Sequence, residues 1–283
     1  MEQAAAGAHA ALFDETGRRI PYPGMRVHNQ VSRRYFYLLQ PRLDYAAIFE
    51  RTAQALRLPE LPERTERLAA ICNAILAGLR SDPALSNLTQ AVHVPFLCPP
   101  ALSGQGRSED LRRLLEAVAR SFTAAFPEFD FRDLCPGKPD DTAVPATGSR
   151  YEQFEAARSH GFVTGLYFPN CLAEYDLASQ RAQMSTLPAA VDSGAGKAAI
   201  VLSGPAEAAA ALAGSPDLLR NEANYPHHLC LSGIQEPGDQ IVYTFEAYGG
   251  NLRFRHRSNL LTPEVTQVSE QWAGGLTVFV ALG

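Results

Sequence analysis

One stretch near the end of the chain, "QIVYTFEAYGGNLRFRHR", carries a carboxylate and two guanidinium groups that could act together. If Gly249 and Gly250 form a two-residue turn, Glu246 faces Arg253 across the paired strands. If the turn slips by one residue, Glu246 faces Arg255 instead. Arginine can hold a carboxylate or phosphate at two points, and a glutamate beside it can move protons. The segment therefore predicts a pocket wall for an anionic substrate, with a solvated ion pair as the alternative.

Histidine and tyrosine side chains add to this candidate chemistry. In "NYPHHLCLSG", two adjacent histidines precede a buried strand, so His227 and His228 should point to opposite faces and only one should reach a pocket. We predict that His227 is the functional one. His93, in "AVHVPFL", is either a core histidine or a further acid–base group. Tyr225 and Tyr248 could stack on an aromatic substrate.

Thiol chemistry is a second possibility, because Cys171 follows Asn170 at a predicted helix N-terminus, where the thiolate is favoured. In the order of its nucleophile, histidine strand and turn, this part of the chain resembles papain-like cysteine hydrolases. The resemblance implies Cys171 as the nucleophile, His227 as the base, and Glu246 or Asp239 as the group that orients the imidazole. The chain departs from the family in having no glutamine shortly before the cysteine and no tryptophan beside it.

Motifs for cofactors and metals do not occur in this sequence. The segment "DSGAGKAAIVLSG" has alanine where a phosphate loop has serine or threonine, and no GxSxG, HExxH or EF-hand spacing is present. A single metal ion could bind both adjacent histidines only at an irregular strand entrance. We therefore expect no cofactor and no metal.

The elements that must position these residues form an α+β pattern, with a helix-rich N-terminal half and a mainly antiparallel sheet in the C-terminal half. Ser108 and Asn170 are the predicted caps of two helices, and Arg80 ends another, where it either caps carbonyls or binds substrate. The residues 1–283 are predicted to form one domain, with an internal boundary or lid loop at 127–149. Helices are predicted at 43–58, 68–79, 108–126, 150–159, 171–187 and 205–221, and strands at 32–41, 89–100, 161–169, 197–204, 228–234, 240–257 and 274–282.

Composition limits the partners of the protein. The formal net charge of −5 gives no general attraction to phosphate backbones, so we expect no nucleic acid. No stretch approaches the about 20 apolar residues of a membrane span, and the five cysteines are widely spaced without a CxxC pair. These features predict a soluble, cytoplasmic protein, and the abundance of alanine, arginine and proline suggests a bacterial source. A homodimer through an exposed strand edge is possible.

Together these observations predict a bacterial enzyme that acts on a small anionic or aromatic metabolite by cofactor-free acid–base chemistry. The most concrete version is an amine–carbonyl condensation or cyclisation in specialised metabolism. Two alternatives stay open. One is a thiol hydrolase or acyltransferase that uses Cys171 and His227, and the other is a non-catalytic protein that binds a small molecule or dimerises.

Overall fold

The fold is taken from a computed structural model of the chain. It describes residues 11–25, 27, 36–102, 104, 106–135, 143–194, 196–220, 224–235, 242–257 and 271–282. Asp239 and the middle of the predicted lid loop, residues 136–142, lie outside the described residues.

Helices form where apolar residues recur with the helical period and a suitable cap precedes them. The Asp44 side chain caps the first helix by accepting the N–H of Ala47, and proline occupies the first position of the last one. The helices are α1 (Tyr45–Leu56), α2 (Thr65–Ser81), α3 (Arg107–Ala125), α4 (Tyr151–His160), α5 (Leu177–Ala182) and α6 (Pro205–Gly214), with 3₁₀ turns at Ser86–Gln90 and Gln183–Thr186.

Eleven strands occur in the described part of the chain. They are β1 (Val94–Cys98), β2 (Phe131–Asp133), β3 (Val144–Pro145), β4 (Val163–Ala173), β5 (Ala190–Asp192), β6 (Lys197–Leu202), β7 (His228–Cys230), β8 (Ile234–Gln235), β9 (Val242–Tyr248), β10 (Asn251–Arg257) and β11 (Trp272–Ala281).

Nine of these strands form one sheet in the order β1-β4-β11-β7-β9-β10-β2, with β6 and β5 branching from β11. One edge of β11 pairs with β4, whereas its other edge is shared by β7 near its start and β6 further along. The pairs β11–β7 and β10–β2 are parallel, so the sheet is mixed. The α+β class is confirmed. The predicted division of the chain is only partly right, because α4, α5 and α6 lie among the strands of the second half.

Two apolar clusters lie on opposite faces of the central strands. One contains Phe96 and Tyr167 and packs against α1, α3 and α6, while the other contains Leu97 and Leu166 and packs against α2. The alternation follows from the two-residue period of strands. Among the described side chains, the second cluster contains none from β7, β9 or β10, so one face of these strands is available to other side chains.

Three local predictions are wrong. Residues 36–40 form no strand and make only an isolated bridge at Phe36. The third helix starts at Arg107 with Gly106 at its N-cap, two residues before the predicted N-cap at Ser108. Asn170 caps no helix, because β4 continues past it to Ala173 through a bulge.

The helices of the described ranges include none that is both long and apolar enough to cross a membrane. All five cysteines lie in the described part of the chain and none of them forms a disulfide.

Candidate functional site

The β9–β10 hairpin has the first of the two predicted registers. Gly249 and Gly250 form the turn, both with positive φ, and Glu246 lies directly across from Arg253. One face of the hairpin carries Phe245 and Phe254 into the first apolar cluster. Because neighbouring residues alternate between faces, the other face carries the polar side chains.

Glu246 is a buried carboxylate at the centre of this polar face, with 3% of its surface exposed. Its Oε1 accepts a hydrogen bond of 2.8 Å from the Thr244 hydroxyl and lies 3.8 Å from Nδ1 of His228. Its Oε2 lies 3.8 Å from a guanidinium nitrogen of Arg255. Burying a carboxylate is costly unless charged or hydrogen-bonding groups compensate it, and these three side chains do so.

The histidine that faces Glu246 is His228 and not His227. The register Leu229↔Phe245 between β7 and β9 puts His228 opposite Glu246. At 3.8 Å the ring nitrogen and the carboxylate oxygen are within ion-pair range but beyond a hydrogen bond, so direct proton transfer needs a small movement or a bridging group. The two groups are nevertheless placed to act as an acid–base pair.

His227 immediately precedes β7 and is 5% exposed. Burial lowers the pKa of its ring to about 4, with further lowering from His228 and Arg18, which places both groups close to it. Its Nδ1 has no hydrogen-bond partner among the described residues. His227 is therefore a neutral imidazole at physiological pH, one that can exchange a hydrogen bond with a bound molecule.

A buried ion pair lies near His227, because Arg18 is one of the charged groups that lower the pKa of its ring. A guanidinium nitrogen of Arg18 lies 2.7 Å from Oε2 of Glu174, and Nε of Arg18 donates to the carbonyl of Ala173. Glu174 follows directly after β4, with a φ of 70°, and its N–H donates to the carbonyl of Trp272. A non-glycine residue in this backbone region costs about 1–3 kcal/mol and persists only where its surroundings hold it, often at functional sites.

The polar residues form a row across four strands at one level of the sheet. Trp272 of β11 pairs with His228 of β7, which faces Glu246 of β9, which pairs with Arg253 of β10. Leu177 and Cys230 pack with the partly buried Trp272 and form an apolar flank. A polar centre beside an apolar wall is the usual composition of a small-molecule site.

The two arginines of the hairpin have different environments. Arg255 pairs with Glu246, although it is not the residue directly across the strands. The guanidinium carbon of Arg253 lies 4.9 Å from the ring centroid of Tyr248, whose side chain is 67% exposed. Arg253 and Tyr248 therefore form the outer, solvent-exposed end of the row.

Three other predicted site residues lie elsewhere. Tyr225 lines a cleft together with Ala247, on the opposite face of the hairpin from Glu246. His93 lies just before β1, where its Nδ1 is 2.9 Å from the carbonyl oxygen of Ala91, burial lowers the pKa of its ring, and Arg80 lies close enough to lower it further. The strands β4, β11 and β7 lie between β1 and β9, a separation of about 19 Å at the usual strand spacing. The structure thus does not bring His93, Arg80 or Tyr225 to the row.

Cys171 is fully buried in the bulge of β4, and its thiol donates to the carbonyl of Phe168 at 3.5 Å. The predicted helix N-terminus that was to lower the pKa of the thiol is absent, and burial instead raises that pKa well above its usual value. Among the described contacts none joins Cys171 to His227 or Glu246, and β11 lies between their strands.

Sequence reasoning did not place Thr244, His228 or the Arg18–Glu174 pair in the candidate site. Thr244 could have been found, because it lies two residues from Glu246 and shares its face. The sequence favoured His227, whereas the pairing of β7 with β9 places His228 opposite Glu246. No sequence signal pairs Arg18 with Glu174, since 156 positions separate them.

Replacing His227 by glutamine should change how stability depends on pH. Because the folded pKa of about 4 lies below the unfolded value of 6.5, the unfolded chain binds more protons between these values, and wild type is penalised as the pH falls through this window. The variant lacks this penalty. As the pH falls from 6.5 to 4, its free energy of unfolding should therefore rise relative to that of wild type by up to roughly 3 kcal/mol. Urea unfolding at several pH values measures the difference. The same change at His160, which is exposed on α4, is the control, and equal pH profiles for wild type and His227→Gln would contradict the assignment.

Within the described residues, no group of three or more His, Cys, Asp or Glu side chains is placed to hold a metal ion. Comparison of the chain with protein-family models, with curated proteins and with solved structures finds no match in any of the three.

Proposed function

We propose that the protein is an enzyme that performs side-chain acid–base chemistry on a small anionic molecule at the polar face of β7, β9 and β10. The observation that carries the proposal is the buried Glu246 carboxylate, which faces an imidazole on one oxygen and a guanidinium on the other, each at 3.8 Å. Groups held in this way, close to one another and away from water, are characteristic of general acid–base sites.

The most concrete reaction is a cofactor-free condensation of an amine with a carbonyl, or the corresponding cyclisation. The attacking amine must lose a proton, which Glu246 can accept, and the carbonyl oxygen must gain one, which His228 can donate. Loss of water then reverses these roles, since the oxygen needs a second proton and the nitrogen gives one up. Arg255 and Arg253 would hold the carboxylate of the substrate and so orient the reacting atoms.

His227 supplies a second, neutral imidazole beside this pair. A neutral ring can donate one hydrogen bond to a developing oxyanion without carrying a charge of its own. The proposed roles therefore divide between a proton-transferring pair, Glu246 and His228, and an orienting group, His227. No observation favours hydrolysis by the Cys171 thiol, because that side chain is buried in the bulge of β4.

A panel of amino acids and 2-oxo acids, analysed by mass spectrometry for products that equal the two reactants less one water, tests the proposal. We expect Glu246→Gln to lower turnover at least about a hundredfold with little change in KM, because glutamine keeps the shape but cannot accept the proton. Arg255→Gln should act mainly on KM, because it removes a contact to the bound anion.

Glu152→Gln, which removes an exposed carboxylate on α4, is the matched control and should leave turnover unchanged. Circular dichroism and thermal unfolding establish that each variant is folded. Full turnover by a folded Glu246→Gln protein would rule out the assignment. Saturable binding of the acids without turnover by wild type would favour a non-catalytic binding protein.

A further inference from the structure

A cleft with a volume of about 830 Å³ lies between α1, α3 and the turn that follows α6. These helices pack against the first apolar cluster, so the cleft is on the opposite side of the sheet from Glu246. Its volume is in the range of small-molecule sites, about 300–1,000 Å³. The lining residues of α1 recur at helical spacing along one face of that helix, at Ala47, Ile48, Arg51 and Ala55.

Two buried serines line this cleft. Ser121 lies on α3 and is 5% exposed, and Ser215 directly follows α6 and is 1% exposed. Neither hydroxyl has a hydrogen-bond partner among the described residues. Other helical hydroxyls are paired, since those of Thr52 and Ser159 donate to carbonyls of the preceding turn. A buried hydroxyl without a partner is costly, and a ligand that brings an acceptor into the cleft removes that cost.

Arg51 joins α1 to the end of α6 beside one of these serines. Its guanidinium donates an N–H to the carbonyl of Gly214, the residue that precedes Ser215. A Cβ added at Gly214 would lie 2.6 Å from the hydroxyl oxygen of Thr52 and 2.8 Å from a methyl carbon of Ile48, so the two helices are in close contact there. A guanidinium carries further N–H donors beyond the one used by this bond, and Arg51 presents them at the end of the cleft where Ser215 lies.

Arg120 and Arg42 add two more guanidinium groups to the lining. Arg120 precedes Ser121 on α3, and its Nε donates to the carbonyl of Ala55 at 2.8 Å. Its Nη1 lies 3.5 Å from Oε2 of Glu116, whose side chain is 59% exposed, and an exposed pair of this kind is weak. Arg42 is exposed on the chain that enters α1. Guanidinium groups and hydroxyls together are suitable donors for the oxygens of a phosphate.

We propose that this cleft binds a phosphate monoester of a small hydroxylated molecule, which is the chemistry of a sugar phosphate. A phosphate presents three strong acceptor oxygens, and these match several guanidinium groups and two hydroxyls better than the two oxygens of a carboxylate do. Asp44 and Asp217 are exposed in the same lining and can accept hydrogen bonds from hydroxyl groups of the ligand. The proposal does not rest on the proposed function, because the two sites lie on opposite sides of the sheet.

Isothermal titration calorimetry with ribose 5-phosphate tests the cleft, with ribose and ribonate as the uncharged and carboxylate comparisons. We expect one saturable site per chain for ribose 5-phosphate, at least about tenfold weaker binding of ribonate, and no measurable binding of ribose. Arg42→Gln should weaken binding of ribose 5-phosphate about tenfold, and Arg42 is exposed, so its replacement does not threaten folding.

The two serines separate a binding role from a structural one. Ser121→Ala and Ser215→Ala should each weaken binding of ribose 5-phosphate about threefold to tenfold. Neither change should lower the midpoint of urea unfolding, because alanine removes a hydroxyl that has no partner among the described residues. Serines that only support the fold would give the reverse result, with a lower midpoint and an unchanged affinity.

Two control variants locate the binding. Arg112→Gln, which removes an exposed arginine of α3 outside the cleft, and Ser159→Ala on α4 should both leave the affinity unchanged. Failure of ribose 5-phosphate to bind at concentrations up to about 10 mM would overturn the proposal. Equal affinity for ribose 5-phosphate and ribonate, or wild-type affinity in a protein that carries both serine changes, would also overturn it.

Discussion

Replacing Glu207 by alanine is expected to lower the free energy of unfolding by about 3–5 kcal/mol, which is a large part of the stability of an ordinary domain. Glu207 lies in the first turn of α6 and is fully buried. Its Oε1 accepts from the N–H of Gly204 at 2.6 Å and from the Thr277 hydroxyl at 3.1 Å, and its Oε2 accepts from the Tyr151 hydroxyl at 2.8 Å. Truncation leaves buried donors without an acceptor, each at about 1–3 kcal/mol, and opens a cavity. Urea unfolding monitored by circular dichroism gives the difference.

Glu207→Gln is the matched variant, because it keeps the size of the side chain and mimics the protonated acid. Burial raises the pKa of Glu207 from 4.5 to about 7, so the folded state binds more protons in this window and its stability falls as the pH rises. As the pH rises from 4.5 to 7, we therefore expect the free energy of unfolding of the glutamine variant to rise relative to that of wild type by up to roughly 3 kcal/mol. A loss below about 1 kcal/mol for Glu207→Ala would show that the network does not hold α6 in place.

The pH effects of Glu207 and His227 oppose each other. His227 makes wild type more stable as the pH rises from about 4 to 6.5, whereas Glu207 makes it less stable between 4.5 and about 7. The two contributions overlap and partly cancel in wild type. Each glutamine variant removes one of the two contributions. The free energy of unfolding should therefore fall with rising pH in the His227→Gln protein and rise with rising pH in the Glu207→Gln protein.

Replacing Arg18 by methionine should destabilise the protein by about 3–5 kcal/mol, because it leaves the buried Glu174 carboxylate without its cation. Arg18 also donates to the carbonyl of Ala173, and its guanidinium carbon lies 5.3 Å from the ring centroid of Tyr175. One side chain thus attaches the segment at 11–25 to the end of β4. The free energy of unfolding of the variant in urea measures the effect.

A double-mutant cycle separates the ion pair from the packing. Adding Glu174→Gln to Arg18→Met removes the uncompensated charge, so the double variant should be more stable than the sum of the single losses predicts. Arg67→Met breaks the exposed pair between Arg67 and Glu63 and should cost less than about 1 kcal/mol. If the losses in free energy of unfolding caused by Arg18→Met and Glu174→Gln were strictly additive in the double variant, that result would contradict a direct buried ion pair.

Local patterns in the sequence predicted the elements that depend on neighbouring residues. The helical stripe of α2, the proline start of α6 and the turn at Gly249 and Gly250 are all visible in a window of a few residues, and each is present. The turn also fixed the register that puts Glu246 opposite Arg253. The predicted end of β4 was wrong, because the strand continues past Pro169 through a bulge. The helix expected to begin at Cys171 is therefore absent.

The site depends on contacts between distant segments, which local patterns do not contain. The choice between His227 and His228 was a choice between two faces of one strand, and only the pairing of β7 with β9 decides it. The pair of Arg18 and Glu174 joins segments that no periodicity relates. His93 and Arg80 had suitable chemistry, but the strand order separates them from the hairpin.

The shared edges of β11 also determine the order in which the chain can assemble. The β9–β10 hairpin is closed by a two-residue turn, so it can form as soon as it leaves the ribosome. Its connection to the rest of the sheet depends on a strand that is distant in sequence. Ala173 of β4 pairs with Ala273 of β11, and β7 pairs with the start of β11. Among the described strands, β11 alone connects the β7-β9-β10-β2 part of the sheet to β4 and β1, and it is the last of them in the chain, so the complete sheet can close only after β11 has been synthesised.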